Sequence, residues 1–392
     1  MPKQRVLVAM SGGVDSSVTA YLLKQQGYDC VGATMRLTCS RTFGDEGTRT
    51  CCSLRDIADA QSVAERLGIP YHVIDFREQF SRDVVDKFVA TYEAGGTPNP
   101  CIDCNRYLKF GALLDFAREH GCDFVATGHY ACIAQESNGT WTLSRGLDPK
   151  KDQSYVLYSL TQERLAHTLL PLGGLNKDRD VRRIAAEQGL VNAAKPDSED
   201  ICFVPDGDYA RYIEERTGRT LQPGDILWRD GSVVGRHAGA LRYTIGQRKG
   251  LGVAMAHPVY VTGIDTASNT VTLGEASDLE ATALIAEDWI WSAPVEQMEA
   301  ALDAGGIRVV AKYRYHQKDQ AGLLTRAVAA EAGSPGADTL GPIATSADRN
   351  ATTKALKLTF DETQRAIAPG QAVVAYRGDT VIGGGTVTCA LR

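Results

Sequence analysis

Val6-Leu7-Val8-Ala9 is a short apolar run that ends at a glycine-rich turn, and Val18, Leu22 and Leu23 then recur at helical spacing between Ser16 and Gln26, where Gly27 stops the pattern. This reads as strand, loop, helix. The unit repeats. Val31 to Met35 predicts a second strand, Ser53 caps a helix that runs toward Gly68, and Tyr71 to Ile74 predicts a third strand. After a further helix and a loop, Asn105 to His120 predicts another helix and Phe124-Val125-Ala126-Thr127 another buried strand. Strands that alternate with helices predict a parallel sheet covered on both faces, with ligands beyond the carboxyl ends of its strands. Gly12 and Gly13 follow one such end, Met35 closes the second, and Gly128 and His129 follow a later one. These three points are expected to converge.

From about Asp206 the texture changes: long amphipathic helices give way to a loop of glycine and basic residues, Gly246-Gln247-Arg248-Lys249-Gly250-Leu251-Gly252. Beyond about Ala283, short apolar runs separated by turns (Arg308 to Tyr313, Leu356 to Phe360, Ala372 to Tyr376, Thr380 to Ile382) predict a terminal β-barrel. The expected architecture is therefore α/β, with a parallel-sheet domain over 1–205, a small central domain over 206–282 and a C-terminal β-barrel over 283–392. A length of 392 residues suits such a division. Ala332 to Thr353, rich in Gly, Ala, Ser, Thr and Asp, reads as a flexible surface loop.

Composition narrows the class. Apolar residues at 43% and charged residues at 23% lie near globular averages and argue against disordered and fibrous chains. No apolar stretch approaches the length of about 20 residues that a spanning helix requires. The first residues, Met1-Pro2-Lys3-Gln4-Arg5, run straight into a strand, so a cytoplasmic protein with no membrane partner is expected. A net charge of -6 argues against a polyanionic partner unless basic side chains are gathered locally. Ten cysteines in a chain of this size read as thiols, metal ligands or redox groups rather than as a disulfide framework.

The first candidate site is Ser11-Gly12-Gly13-Val14-Asp15-Ser16-Ser17, set between a strand and a helix. Glycines let backbone amides approach an anion, the helix terminus adds free N–H groups and partial positive charge, and the serines supply further donors. No Gly-Lys dipeptide occurs in the chain, so the lysine of a Walker-type loop is absent. The segment resembles instead the PP-loop of ATP-pyrophosphatases, which cleave ATP between the α- and β-phosphates and hold the leaving pyrophosphate. On that reading Asp15 helps hold Mg²⁺ on the phosphates. As a carboxylate in the first helical turn it is also stabilised by the helix dipole.

The second candidate site is made of cysteines. Cys101 and Cys104 have C-x-x-C spacing in Thr97-Pro98-Asn99-Pro100-Cys101-Ile102-Asp103-Cys104-Asn105, and Cys202 lies in Asp197-Ser198-Glu199-Asp200-Ile201-Cys202-Phe203. Two prolines hold the preceding loop extended. With a helix starting at Asn105, Cys104 is expected near a positive helix end that lowers its thiol pKa. Zinc ribbons use the same spacing, but the second C-x-x-C of a four-cysteine site is missing. Cys51 and Cys52 adjoin a helix cap, and Cys30, Cys39, Cys122, Cys132 and Cys389 are scattered singly. Lone cysteines behave by default as small hydrophobes, and these are given no role.

Six segments together resemble the tRNA-specific 2-thiouridylases. They are Ala9 to Ser17, Thr97 to Pro100, Ala126-Thr127-Gly128-His129-Tyr130, Lys151-Asp152-Gln153-Ser154-Tyr155, Asp197 to Phe203 and Gly246 to Gly252. Arg314-Tyr315 and Pro369-Gly370-Gln371 extend the resemblance over essentially the whole chain. It implies an enzyme that converts the wobble uridine, position 34, of certain tRNAs to 2-thiouridine. ATP adenylates the 2-oxygen with release of pyrophosphate, and AMP departs when sulfur attacks the ring carbon. By the same resemblance Cys202 receives sulfane sulfur as a persulfide from a donor protein, or sulfide serves directly. Cys104 then attacks the persulfide, freeing sulfide and closing a Cys104 to Cys202 disulfide, or assists the transfer. The resemblance places Ala9, Met10, Ser11, Gly12, Gly13, Val14, Asp15, Ser16, Met35 and Gly128 around ATP, and Asn99, Pro100 and Cys101 at the target base. It places His129, Lys151, Asp152, Gln153, Arg314, Tyr315 and Gln371 on tRNA.

Two questions stay open at this level. Some members have Asp where this chain has Cys101, so Cys101, Cys104 and Cys202 suit either a persulfide route or three ligands of a 4Fe-4S cluster. A patch for tRNA must come from local charge: Arg242, Arg248 and Lys249 are close in sequence, and Arg308, Lys312 and Arg314 fall on near-alternate positions of one strand. Competing classes are a PP-loop amidotransferase or ligase, for which the chain offers no glutaminase segment, and a non-catalytic RNA-binding or zinc module, which leaves the phosphate loop idle.

Overall fold

The computed structural model describes residues 3–37, 54–196, 201–328 and 355–392. The opening strand β1 (Arg5–Ala9) leads through the glycine turn into α1 (Val14–Gln25). β2 (Asp29–Arg36), α2 (Leu54–Leu67), β3 (Tyr71–Asp75) and, later, β4 (Phe124–Ala126) follow. All pairings are parallel, in the order β3-β2-β1-β4, and a two-residue strand, Thr168–Leu169, adds a fifth member beside β4. Alternation along β1 serves two layers. Val6 and Val8 face a cluster with Val18, Ala60 and Ala64, whereas Leu7 faces Val31, Leu113, Leu114 and Val125. Val6, Leu7 and Val8 are essentially inaccessible, which is worth about 1.5–3 kcal/mol for each such side chain.

The chain is helical from 100 to 119, not from Asn105. It opens with Pro100–Asp103, widens into a π-type stretch over Cys104–Ala112 and closes with Leu113–Glu119. Proline suits the first helical position because the N–H it lacks has no partner there anyway, and Asn99 before it is extended (φ -122°, ψ 91°). The central region holds the helix Tyr209–Thr217 and a four-stranded sheet in the order Tyr260–Asp265, Thr270–Gly274, Gly224–Trp228, Val233–His237.

The terminal barrel is present. Glu280–Trp291, Leu356–Arg365, Gln320–Arg326, Ile307–Lys312, Ala372–Arg377 and Thr380–Leu391 follow one another, and the last pairs back onto the first. A hairpin of the first region, Ala131–Gln135 with Trp141–Arg145, extends this sheet through Val381 opposite Leu143. The final strand runs on through Gly383-Gly384-Gly385, well past Ile382. A Cβ at Gly383 would lie 2.5 Å from the Ile290 carbonyl oxygen, and one at Gly384 would lie 2.7 Å from the Tyr158 ring. The triplet is strand because Trp289, Trp291 and Tyr158 occupy the space its side chains would need. The loop expected over Ala332 to Thr353, the Ser53 cap, and Cys39, Cys51, Cys52 and Asp197 to Asp200 lie outside the described residues. No described helix is long and apolar enough to cross a membrane.

Candidate active site

The carboxyl ends of β1, β2 and β4 meet as neighbours. Where β1 ends, the Met10 N–H donates to the Ala33 carbonyl at 2.8 Å and the Thr34 hydroxyl donates to the Met10 carbonyl at 2.5 Å, which fixes the exit of the loop. Gly12 is left-handed (φ +73°), and a Cβ on it would stand 2.3 Å from the Asp56 carbonyl oxygen, so glycine is required twice over. The hydroxyls of Ser16 and Ser17 donate to the Gly13 carbonyl at 3.1 and 3.0 Å, and Ser16 Oγ accepts from the Ser11 N–H at 3.2 Å. Gly128, just beyond β4, lies against the first turn of α1: a Cβ there would be 2.9 Å from the Asp15 carbonyl carbon and 3.0 Å from Ser16 N. Ala9 and Met35 are half-buried at the same edge, and Met10 and Val14 are buried.

The lysine absent from the loop's own sequence is supplied from elsewhere. Lys177 Nζ sits 2.7 Å from Asp15 Oδ2, while Tyr130 donates its hydroxyl to Asp15 Oδ1 at 2.6 Å. Lys195 Nζ donates to the Gly12 carbonyl at 3.0 Å and pairs with Asp56 at 2.6 Å and Asp59 at 2.7 Å. Burial opposes the Lys195 charge, but the two carboxylates outweigh it and hold its pKa above the ordinary lysine range. Asn192 donates to the carbonyls of Gly12 and Gly13 at 3.1 and 3.2 Å and to Ser17 Oγ at 2.7 Å. Sequence reasoning missed all three residues. Nothing in their local pattern separates them from surface residues. Asp15, half-buried and with lone pairs beyond those used by Lys177 and Tyr130, fits a single oxygen ligand to Mg²⁺ held on ATP phosphates.

Cys104 is buried, Cys202 half-buried, and both belong to one apolar cluster with Phe80, Phe88, Leu108 and Phe203. Met35 and Leu37, where β2 ends, pack on that same cluster, which ties the thiols to the edge that carries the phosphate loop. Cys101 is exposed, and the Tyr315 phenol near it is pushed up to about 12 by burial first, then by the Asp152 charge and last by Cys101. The helix start at Pro100 puts Cys101, not Cys104, in the first turn beside the positive helix end. Among the described residues no three His, Cys, Asp or Glu side chains stand together as a site for a single metal ion.

The residues expected on tRNA are dispersed in role. His129 is buried, with Nδ1 2.7 Å from the Thr127 hydroxyl, and is no surface group in this structure. Asp152 accepts from the N–H groups of Gly146 and Ser154, both at 3.1 Å, and Gln153 Oε1 accepts from the Tyr130 N–H at 3.0 Å, so both brace loops. Lys151 is half-buried and Arg314 exposed. Arg314 donates to the carbonyls of Arg365 and Ala366, Tyr315 donates to the Asp152 carbonyl at 3.1 Å, and Gln371 donates to the Thr97 carbonyl at 2.9 Å. Tyr315 and Gln371 thus bind the barrel to the first region. Arg308 and Lys312 alternate with buried residues on their strand, as expected, but Arg308 is paired with Asp361 at 2.8 Å. Arg242 lies 3.4 Å from Asp208.

Comparison with known proteins covers the whole chain. Residues 4–206 match a family model described as tRNA methyl transferase HUP domain, 210–275 a tRNA methyl transferase PRC-barrel domain and 342–387 an aminomethyltransferase beta-barrel domain. The chain is 46% identical over 391 residues to the tRNA-specific 2-thiouridylase MnmA of Carboxydothermus hydrogenoformans, with 98% of each chain covered. It is 46% identical over 393 residues to the protein of that name from Geotalea uraniireducens, covering 100% of this chain and 96% of the relative. For the Moorella thermoacetica relative the identity is 47% over 385 residues, covering 97% and 98%.

Proposed function

The chain belongs to the tRNA-specific 2-thiouridylase family, and from that premise we propose how its own residues divide the reaction. The phosphate loop, Ser11 to Ser16, holds ATP by its backbone amides and serine hydroxyls, with Met35 and Gly128 toward the adenine side. Lys177, paired with Asp15, and Lys195, paired with Asp56 and Asp59 and bound to the Gly12 carbonyl, fix the shape of the loop. Asp15 is the residue that would hold Mg²⁺, which supplies charge neutralisation on the phosphates.

The 2-oxygen of the wobble uridine attacks the α-phosphorus and pyrophosphate leaves, so a poor leaving group becomes AMP. Asn99, Pro100 and Cys101 face the base, which reaches them flipped out of its stack. Cys202 carries sulfane sulfur delivered by a persulfide donor protein. Cys104 attacks the Cys202 sulfur as a thiolate. The S–S bond of the persulfide breaks, hydrosulfide leaves and a Cys104 to Cys202 disulfide forms. Hydrosulfide adds to the ring carbon and AMP departs. A thiol reductant returns the disulfide to two thiols for the next turnover. The cytoplasm is the compartment that suits these thiols.

The observation that carries this reading is the shared cluster at the end of β2, which joins Cys104 and Cys202 to the edge of the phosphate loop. The family models name methyl transfer instead, but they do so domain by domain, whereas relatives similar across the full length are thiouridylases. The decisive experiment supplies undermodified tRNA, ATP, Mg²⁺ and a persulfide donor and analyses the wobble nucleosides by mass spectrometry. The expected product is 2-thiouridine, lost in Cys104→Ala and Cys202→Ala while tRNA-dependent pyrophosphate release persists. A methylated nucleoside, or full thiolation by either variant, defeats the reading.

A further inference from the structure

The segment that carries Cys101 and Cys104 is held from both sides by the barrel. On the upstream side the Thr97 N–H donates to the Pro369 carbonyl at 2.8 Å, and Gln371 Nε2 donates to the Thr97 carbonyl at 2.9 Å, so both backbone groups of Thr97 are bound by one barrel loop. That loop is itself rigidly based. The Gly370 N–H donates to the Val387 carbonyl and the Val387 N–H to the Gln371 carbonyl, each at 2.8 Å. Gly370 is left-handed (φ +87°), and a Cβ on it would stand 2.9 Å from Thr97 N and 2.8 Å from Thr91 Cγ2, so the two loops are in direct contact. On the downstream side the Arg106 guanidinium, itself buried, makes a two-pronged pair with Asp288 of the barrel, with Nη2 to Oδ1 at 3.0 Å. Between these anchors lie only Pro98 to Asn105, and with them both cysteines.

From this we infer that the barrel positions the thiols, and that Gln371 is a positioning residue for Cys104. Its amide fixes Thr97, Thr97 fixes the entry to the helix, and the helix entry sets where the Cys104 sulfur stands in its cluster. The inference rests on the proposed role of Cys104 in sulfur transfer. Its test needs neither tRNA nor ATP, so it stands or falls apart from that role.

The full-length chain with Gln371→Met keeps the length of the side chain and loses the donor. In the tRNA-free protein, the rate of alkylation of each cysteine by iodoacetamide is followed by peptide mass spectrometry. Loss of one hydrogen bond is expected to raise the Cys104 rate roughly three- to tenfold. Cys122, buried in the layer beneath the parallel sheet, serves as the gauge of global opening and is expected to stay unchanged. An unchanged Cys104 rate overturns the inference. Equal acceleration of Cys104 and Cys122 also overturns it, because the effect is then general loosening.

Discussion

The imidazole of His129 lies 8% exposed beneath the loop that follows β4, against the Phe110 ring and with Nδ1 2.7 Å from the Thr127 hydroxyl. Burial, helped by the nearby Lys109 charge, holds its pKa well below the usual 6.5, so the folded protein keeps it neutral. Above about pH 6.5 the ring is neutral in the unfolded chain as well and contributes no pH dependence. As the pH falls below that value the unfolded chain takes up a proton that the native state refuses, and stability drops by up to about 1.4 kcal/mol per pH unit until the depressed native pKa is reached. Thermal unfolding between pH 7.5 and 5 is expected to show a steeper fall for the native protein than for His129→Asn. Parallel curves for the two would mean that the ring protonates in place. The same burial explains a limit of sequence reading. Gly128-His129 was legible as a point beside a strand end, but a histidine in a loop reads as a polar surface group, and only the packing against Phe110 shows otherwise.

The helical stretch from 100 to 119 shows what an element needs from outside itself. Arg106 is almost completely buried, and burial opposes its charge. Asp288, 182 positions away, outweighs that cost and holds the guanidinium charged. Asp288 sits in the left-handed region (φ 51°) at an irregularity of its strand, where the ladder shifts between Glu287 and Ile290. Asp288→Ala removes the two-pronged carboxylate partner of a buried arginine. It is expected to cost about 3–5 kcal/mol, read as a lower midpoint in urea unfolding. A loss under about 1 kcal/mol would mean that Arg106 finds water or another acceptor. The amphipathic period made this helix visible in sequence, and Pro98 and Pro100 marked its approach. Its true start was hidden because Pro100 reads equally as a loop residue and as a first helical residue. The last barrel strand was cut short in sequence for a related reason, since Gly383-Gly384-Gly385 looks like a break until Trp289 and Tyr158 are seen to fill the space beside it. The parallel sheet was legible because its signal is local, whereas Lys177, Lys195 and Asn192 reach the phosphate loop from far along the chain.

At the scale of the whole molecule the question is how a chain of net charge -6 holds a polyanion. Much of its surface arginine is already neutralised: Arg308 by Asp361, Arg326 by Glu299 and Asp303, Arg365 by Glu280, and Arg145 by Asp319. Arg248, Lys249 and Lys312 make no ion pair among the described residues, and the first two are exposed. The loop that carries Arg248 and Lys249 leans on the barrel where Arg314 is fixed. A Cβ on Gly246 would lie 2.6 Å from the Ala366 Cβ, and Arg314 donates to the Ala366 carbonyl. Central domain and barrel therefore share one basic edge built from few free charges. Each phosphate neutralised contributes about -0.9 to the slope of log K against log salt, so three free cations predict a shallow slope, near -3. Arg248→Ala with Lys249→Ala is expected to reduce its magnitude by about 2, because each removes one phosphate contact. Arg308→Ala should leave it nearly unchanged, since Asp361 already competes for that guanidinium. Filter binding of tRNA across a salt series measures all three proteins. If Arg308→Ala flattens the slope as much as the double variant does, then tRNA displaces Asp361 on binding, and the outer face of the barrel, not the edge it shares with the central domain, is where the backbone of the RNA lies.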